Sequence, residues 1–145
     1  MINVSVEIDP ALEGPDPKQS KKILRSILET ESVVDSKINL IFGDDKLLSN
    51  LKIEFFNYDH LTDVIAFRIN DYSKAEVEGE IYISVARAIE NAKKYGEPLS
   101  KELARLIIHG GLHLLDHQDK TDDEKNKMTA LEDKYLQQVD WNNLI

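Results

Sequence analysis

A chain of 145 residues can bury one hydrophobic core, and 41% hydrophobic with 31% charged residues is the composition of an ordinary globular protein. There is no cysteine, which excludes disulfides and leaves His, Asp and Glu as metal ligands. A formal net charge of −9 argues against a broad electrostatic grip on nucleic acid, though not against a local basic groove or a bound cation.

Ile2, Val4, Val6 and Ile8 alternate with polar residues, the pattern of a half-buried strand. Asp16-Pro17 is a helix start, with Asp as N-cap and Pro at the first helical position, and Ile23, Leu24, Ile27 and Leu28 follow at helical spacing. Lys37 to Phe42 reads as a second strand ended by Gly43. Asp44 or Asp45 then caps a helix with Leu47, Leu48, Leu51 and Phe55 as its apolar residues. Asp63 to Phe67 is a third strand and Glu80 to Ile83 a fourth. The two pair antiparallel if Asn70 to Glu78 is a loop. Ser84 caps a helix with Val85, Ala88, Ile89 and Ala92 inside and Gly96 at its end. Pro98 opens the next helix, and Thr121 to Glu124 is a capping-box pattern for a last one with Met128, Leu131 and Tyr135 inside. These elements predict an α+β fold, a four-stranded sheet with about five helices. The N-terminus MINVSVEID has no basic region leading into an apolar stretch, and no apolar run approaches the roughly 20 residues that span a bilayer. A cytoplasmic protein without membrane contact is the expectation.

Chemistry concentrates in Leu103 to Asp119, LARLIIHGGLHLLDHQD, which carries three of the four histidines. His109 and His113 are four apart on a helix, hence on one face and roughly 6 Å apart along the axis. Both imidazoles can reach one ion at Zn–N distances of about 2.0–2.1 Å. The spacing is that of HExxH metal sites, but Gly110 stands where that motif has Glu, which weakens a metallopeptidase reading. A bare pair at this spacing serves equally well as two histidines on a helix face that bind nothing. His117 would lie about 12 Å along a continuous helix from His109, too far for a shared ion. Asp119, ten residues after His109, has the i, i+4, i+10 spacing of sites in which the chain turns and returns. Geometry therefore favours Asp119 over His117 as third ligand, although Asp119 could also be a plain loop residue before the Thr121 cap.

Gly110 and Gly111 each cost a helix about 1 kcal/mol relative to Ala. Close packing on a strand and access for a substrate explain them equally well. Asp59, His60 and Asp63 cluster before the third strand; an Asx-type turn with an exposed His is the plainer account of them. There is no nucleophile elbow and no Gly-rich phosphate loop, so no nucleotide cofactor is expected.

HGGLHLLDHQD resembles the H-G-x-L-H-L-x-G-Y-D-H signature of the YbeY endoribonucleases, the ribosomal-RNA maturation factors. Thr62 to Phe67 is similar to that family's T-D-V-L-S-F strand, and Gly79 to Ser84 to its G-D-I-x-I-S segment. The resemblance covers roughly residues 37 to 138. It implies a metzincin-like α+β fold with one zinc ion on His109, His113 and Asp119. It also implies cleavage of RNA in small-subunit ribosomal RNA processing, beside ribosomal proteins. Asp119 takes the place of the family's third His, and His117 that of its Tyr. Asp116 replaces the Gly at which the family's chain turns; Asp tolerates the left-handed conformation such a turn needs. Phe56 stands where the family commonly has an Arg.

Residues 1–145 are therefore expected to form one zinc-dependent hydrolase domain acting on single-stranded RNA. Three protein ligands leave an open position for water or a phosphate oxygen. No residue identifies itself as general base. The rival is a ribosome-associated binding protein with a structural metal. The Gly79 strand is expected beside the histidine helix as a sheet edge, and Arg68, Arg87 and Arg105 are the candidates for cations on the metal side.

Overall fold

The computed structural model describes residues 1–57 and 62–145. Asp59 and His60 lie outside the described residues. The elements run β1 (Ile2–Ile8), α1 (Pro17–Thr30), β2 (Ser36–Gly43), α2 (Asp45–Phe56), β3 (Val64–Arg68), β4 (Val77–Ser84), α3 (Val85–Tyr95), α4 (Leu99–Leu114) and α5 (Asp122–Gln138). The α+β expectation of four strands and five helices holds.

Local chemistry sets the helix boundaries. Asp16 accepts hydrogen bonds from the Lys18 and Gln19 amides at the start of α1. Asp44 caps α2 through Leu47 N, and Ser84 caps α3 through Arg87 N. Gly96 ends α3 in the left-handed region at φ 64°, where a Cβ would be strained. Thr121 and Glu124 form a reciprocal capping box on α5.

The sheet order is β1-β2-β4-β3, with β1, β2 and β4 parallel and β3 antiparallel to β4. The β3–β4 pairing is the expected one, but β4 begins at Val77, earlier than the apolar run predicts. Pairing with β2 from Ser36↔Val77 onward extends it. β4 does lie beside the histidine helix, yet it is not an edge. β2 and β3 flank it, and β1 and β3 are the edge strands. β1 and β2 turn alternate residues inward, leaving Asn3, Ser5, Lys37 and Asn39 exposed.

α4 is the central helix. It packs against α1, α3, α5, β3 and β4, and Leu103, Leu106, Ile107, Ile108, Leu112 and Leu114 are buried. Ile23, Leu24, Ile27 and Leu28 of α1 meet Ile38, Leu40, Phe42, Ile81 and Ile83 of the sheet in the same core. Phe55 departs from expectation. It is exposed, and of the α2 apolar residues only Leu48 is buried.

The two glycines of α4 are explained by packing. A Cβ on Gly110 would lie 2.6 Å from Ile81 Cγ2, so α4 sits directly on β4. A Cβ on Gly111 would lie 2.9 Å from Leu24 Cδ1, the tip of a flexible side chain. Gly110→Ala is therefore expected to lower stability by about 1–2 kcal/mol, overpacking outweighing the helix-propensity gain. Gly111→Ala should be near neutral, because Leu24 can rotate away. Urea midpoints of the two variants check this; equal losses would contradict the assigned contact with Ile81.

Candidate metal centre

His109 and His113 project from the last two turns of α4, and Asp119 approaches them from the segment that follows. Their donor atoms form a compact triangle. His109 Nε2 and His113 Nε2 are 3.0 Å apart, and Asp119 Oδ2 lies 3.5 Å from the first and 3.3 Å from the second. Ligands at about 2.0–2.1 Å around a tetrahedral ion are separated by roughly 3.3 Å, so the three donors fit one ion. They form a group of metal-ligating type whose atoms all lie within 4.8 Å of one another. Burial, with the His109 imidazole beside it, pushes the His113 pKa below the ordinary histidine value, against the opposing pull of Asp119. The neutral ring is the ligating form.

The approach of Asp119 depends on how α4 ends. Asp116 takes the left-handed conformation at φ 70°. His117 N–H donates to Leu112 O at 3.1 Å, and Asp116 N–H to His113 O at 3.1 Å. These are the two bonds of a Schellman motif, and they stop the helix within one turn of His113. Arg68 of β3 reinforces the stop, its Nη1 donating to Leu114 O at 2.8 Å.

His117 is carried to a different place. Its Nε2 lies 2.6 Å from Glu31 Oε1, and Tyr135 O–H donates to Glu31 Oε2 at 2.6 Å. Glu31, at the end of α1, thus ties His117 to Tyr135 of α5.

Behind the triangle stands a buried polar chain. His109 Nδ1 is 2.7 Å from Glu132 Oε2; since a carboxylate only accepts, Nδ1 carries the proton and Nε2 is left with its lone pair toward the centre. Arg105 bridges Glu132 (Nη1 to Oε1, 3.1 Å) and Glu102 (Nε to Oε1, 2.8 Å; Nη2 to Oε2, 2.7 Å). Asn91 Nδ2 then donates to both Glu102 Oε2 and Asp63 Oδ2 at 3.0 Å. Glu102 and Glu132 are each only 5% exposed. Sequence reasoning missed Glu132. Its signal is a glutamate on the inward face of α5, one turn after Met128 and one before Leu136.

The triangle opens into a cleft of about 440 Å³. One wall is β3 with the preceding Thr62 and Asp63; Lys52 and Phe56 of α2, Tyr72, Gln118 and Lys120 complete the rim. The three arginines expected as metal-side cations are instead bound within the protein. Arg68 also donates to Asn70 Oδ1 and to the carbonyls of Asp71, Lys74 and Glu76. Arg87 pairs with Asp45 at 3.2 Å, and Arg105 lies between its two glutamates. Lys52 and Lys120 are the cationic side chains lining the cleft among the described residues.

The family model described as Endoribonuclease YbeY matches residues 13–140. The chain is 38% identical over 137 residues to the "Endoribonuclease YbeY" of Flavobacterium psychrophilum, covering 94% of both chains. It is 34% identical to that of Flavobacterium johnsoniae, over 94% of this chain and 95% of the relative. Among solved structures it is similar to the solution structure of TM1509 from Thermotoga maritima. The TM-score is 0.67 at 27% identity, over 94% of this chain and 89% of the other.

The Glu31 contacts have a consequence for stability. Burial raises the pKa of this carboxyl, but the hydrogen bonds from Tyr135 and His117 outweigh it and hold the pKa below its ordinary 4.5. A carboxyl depressed in the folded state stabilises above its unfolded pKa and loses that contribution as pH falls through the folded value. Glu31→Gln should therefore be less stable than wild type at neutral pH, with the gap closing as pH drops below about 4.5. Urea titrations at a series of pH values test it; a gap independent of pH would contradict it.

Proposed function

The chain belongs to the Endoribonuclease YbeY family, and from that premise we propose that residues 1–145 act as one zinc-dependent hydrolase domain that cleaves single-stranded RNA in ribosomal RNA maturation. The observation that carries this reading is the triangle of His109, His113 and Asp119 opening into the cleft lined by β3, α2 and the segment after α4. We assign the ion to these three residues. Two neutral imidazoles and one carboxylate suit Zn²⁺, and no cysteine competes for it.

When bound, the ion supplies Lewis acidity toward a phosphate oxygen and lowers the pKa of a water. The chain's own residues do the rest. Glu132 holds the His109 ring in one tautomer and orientation, and Arg105 holds Glu132. Asp63 presents a carboxylate at the cleft wall, one oxygen engaged by Asn91. Lys52 and Lys120 are placed to meet the backbone phosphates of a strand in the cleft. RNA bound beside ribosomal proteins, without a nucleotide cofactor, is the partner set we propose, in the cytoplasm. No helix among the described residues is long and apolar enough to cross a membrane.

The internal pairing of Arg68, Arg87 and Arg105 favours a second reading, a ribosome-associated binding protein with a structural metal. Metal analysis combined with cleavage of single-stranded RNA, with and without chelator, separates the two. Chelator-sensitive cleavage supports the enzyme; zinc without cleavage supports the binding protein.

Variants of the centre give the finer test. Asp119→Ala is expected to lose zinc on dialysis against a weak chelator, whereas His117→Ala retains it, because His117 faces Glu31. Glu132→Gln should lower zinc affinity about 10- to 100-fold, the usual cost of losing a carboxylate that orients a ligating His. Loss of zinc from His117→Ala with retention by Asp119→Ala would reverse the ligand assignment.

A further inference from the structure

The cleft has little positive charge with which to hold RNA. Two lysines meeting two phosphates of a single strand give a salt slope of only about −1.4. What the cleft offers instead is aromatic surface. Phe56, 44% exposed at the end of α2, lines the same cleft as His109, His113 and Asp119. Its ring stacks on Phe67 at 5.7 Å between centroids and 21° between planes. Phe67 is itself held edge-on by Phe55 at 5.3 Å and by Tyr82 at 5.9 Å. The Phe56 ring is therefore backed by β3 and β4. The Lys52 ammonium lies 4.6 Å from its centroid. That cation sits over the ring on a flexible stem, so a base that takes its place on the π face leaves it to the neighbouring phosphate; the pair, beside donors suited to a metal, matches the repeating unit of a single strand, a base followed by a phosphate.

We propose that Phe56 is the stacking platform for an unpaired nucleobase of the RNA strand in the cleft, with Lys52 meeting the phosphate next to that base. This rests on the endoribonuclease reading above and adds to it the part of the substrate that is recognised. Stacking is tolerant of base identity, because every base has a π face. The cleft thus selects unpaired nucleotides over duplex, whose bases are stacked on each other, without reading a sequence. Tyr72, 49% exposed and also lining the cleft, provides a second aromatic surface for a neighbouring nucleotide.

The test uses the zinc-loaded protein and a short 2′-O-methyl oligoribonucleotide carrying 2-aminopurine, whose emission is quenched by stacking. Wild type should quench the probe on binding. Phe56→Leu keeps apolar packing on Phe67 but has no π face. It should bind about tenfold more weakly, within the five- to 150-fold that stacking energies per base imply, and should lose the quenching. Phe56→Trp should restore both. Zinc affinity and thermal midpoint should be the same in all three proteins, which separates stacking from folding. Binding of Phe56→Leu at wild-type strength, or a wild-type complex without quenching, overturns the platform even if the enzyme cleaves RNA. If wild type neither binds nor cleaves single-stranded RNA, the endoribonuclease reading falls and the platform with it.

Discussion

Everything at this centre depends on α4 stopping where it does. A helix that continued past His113 would carry the following residues away along its axis at about 1.5 Å each, and no third donor could return. The stop is made by backbone hydrogen bonds. Asp116 enters the left-handed region, and His117 and Asp116 donate back to Leu112 and His113. Arg68 reaches across from β3 to take the Leu114 carbonyl, one of the acceptors a helix end leaves open. The same arginine gathers the carbonyls of the β3–β4 connection. The cleft wall and the end of the metal helix are in this way held by one side chain.

The two buried glutamates answer to the same demand. Burying a carboxylate is costly unless it is paired and fully hydrogen-bonded. Glu102 and Glu132 meet that condition through Arg105, whose fork satisfies both, and through Asn91 and His109. Among the described residues no buried side-chain polar atom lacks a partner. Apolar residues of similar volume often serve stability as well as a buried ion cluster does. What the charged cluster adds is orientation. It fixes which nitrogen of His109 faces the cleft, and it connects α3, α4 and α5 to Asp63 ahead of β3.

Close packing supplies the rest of the rigidity. Without a side chain on Gly110, α4 rests on Ile81 of β4, a central strand held by hydrogen bonds on both sides. The metal helix therefore rests on the middle of the sheet, while Phe56, Tyr72, Gln118 and Lys120 at the rim are exposed. That division suits a chain of net charge −9 that handles a polyanion. The net charge opposes nucleic acid generally, and within the cleft Lys52 and Lys120 are the cationic side chains among the described residues.

Several helix ends of this protein were legible in its sequence, because they follow from local chemistry, whereas the start of β4 is set by its pairing with β2. Asp16-Pro17, Ser84, Gly96 and the Thr121 capping box each act within a few residues. The candidate ligands were legible for a related reason. Helical periodicity places His109 above His113, and the helix rise disfavours His117 on a continuous helix; α4 in fact stops at Leu114, and His117 turns to Glu31. The family resemblance placed the turn at Asp116, a residue type that tolerates positive φ. Only the tertiary structure could decide the strand order, which puts β4 inside the sheet, since parallel partners lie far apart in the chain. It alone could reveal Glu132, 23 residues from the histidine it holds, and the partners of the arginines. A guanidinium reads the same in sequence whether it faces solvent or a buried carboxylate. The choice is made by long-range packing, which brings together groups that no local pattern relates.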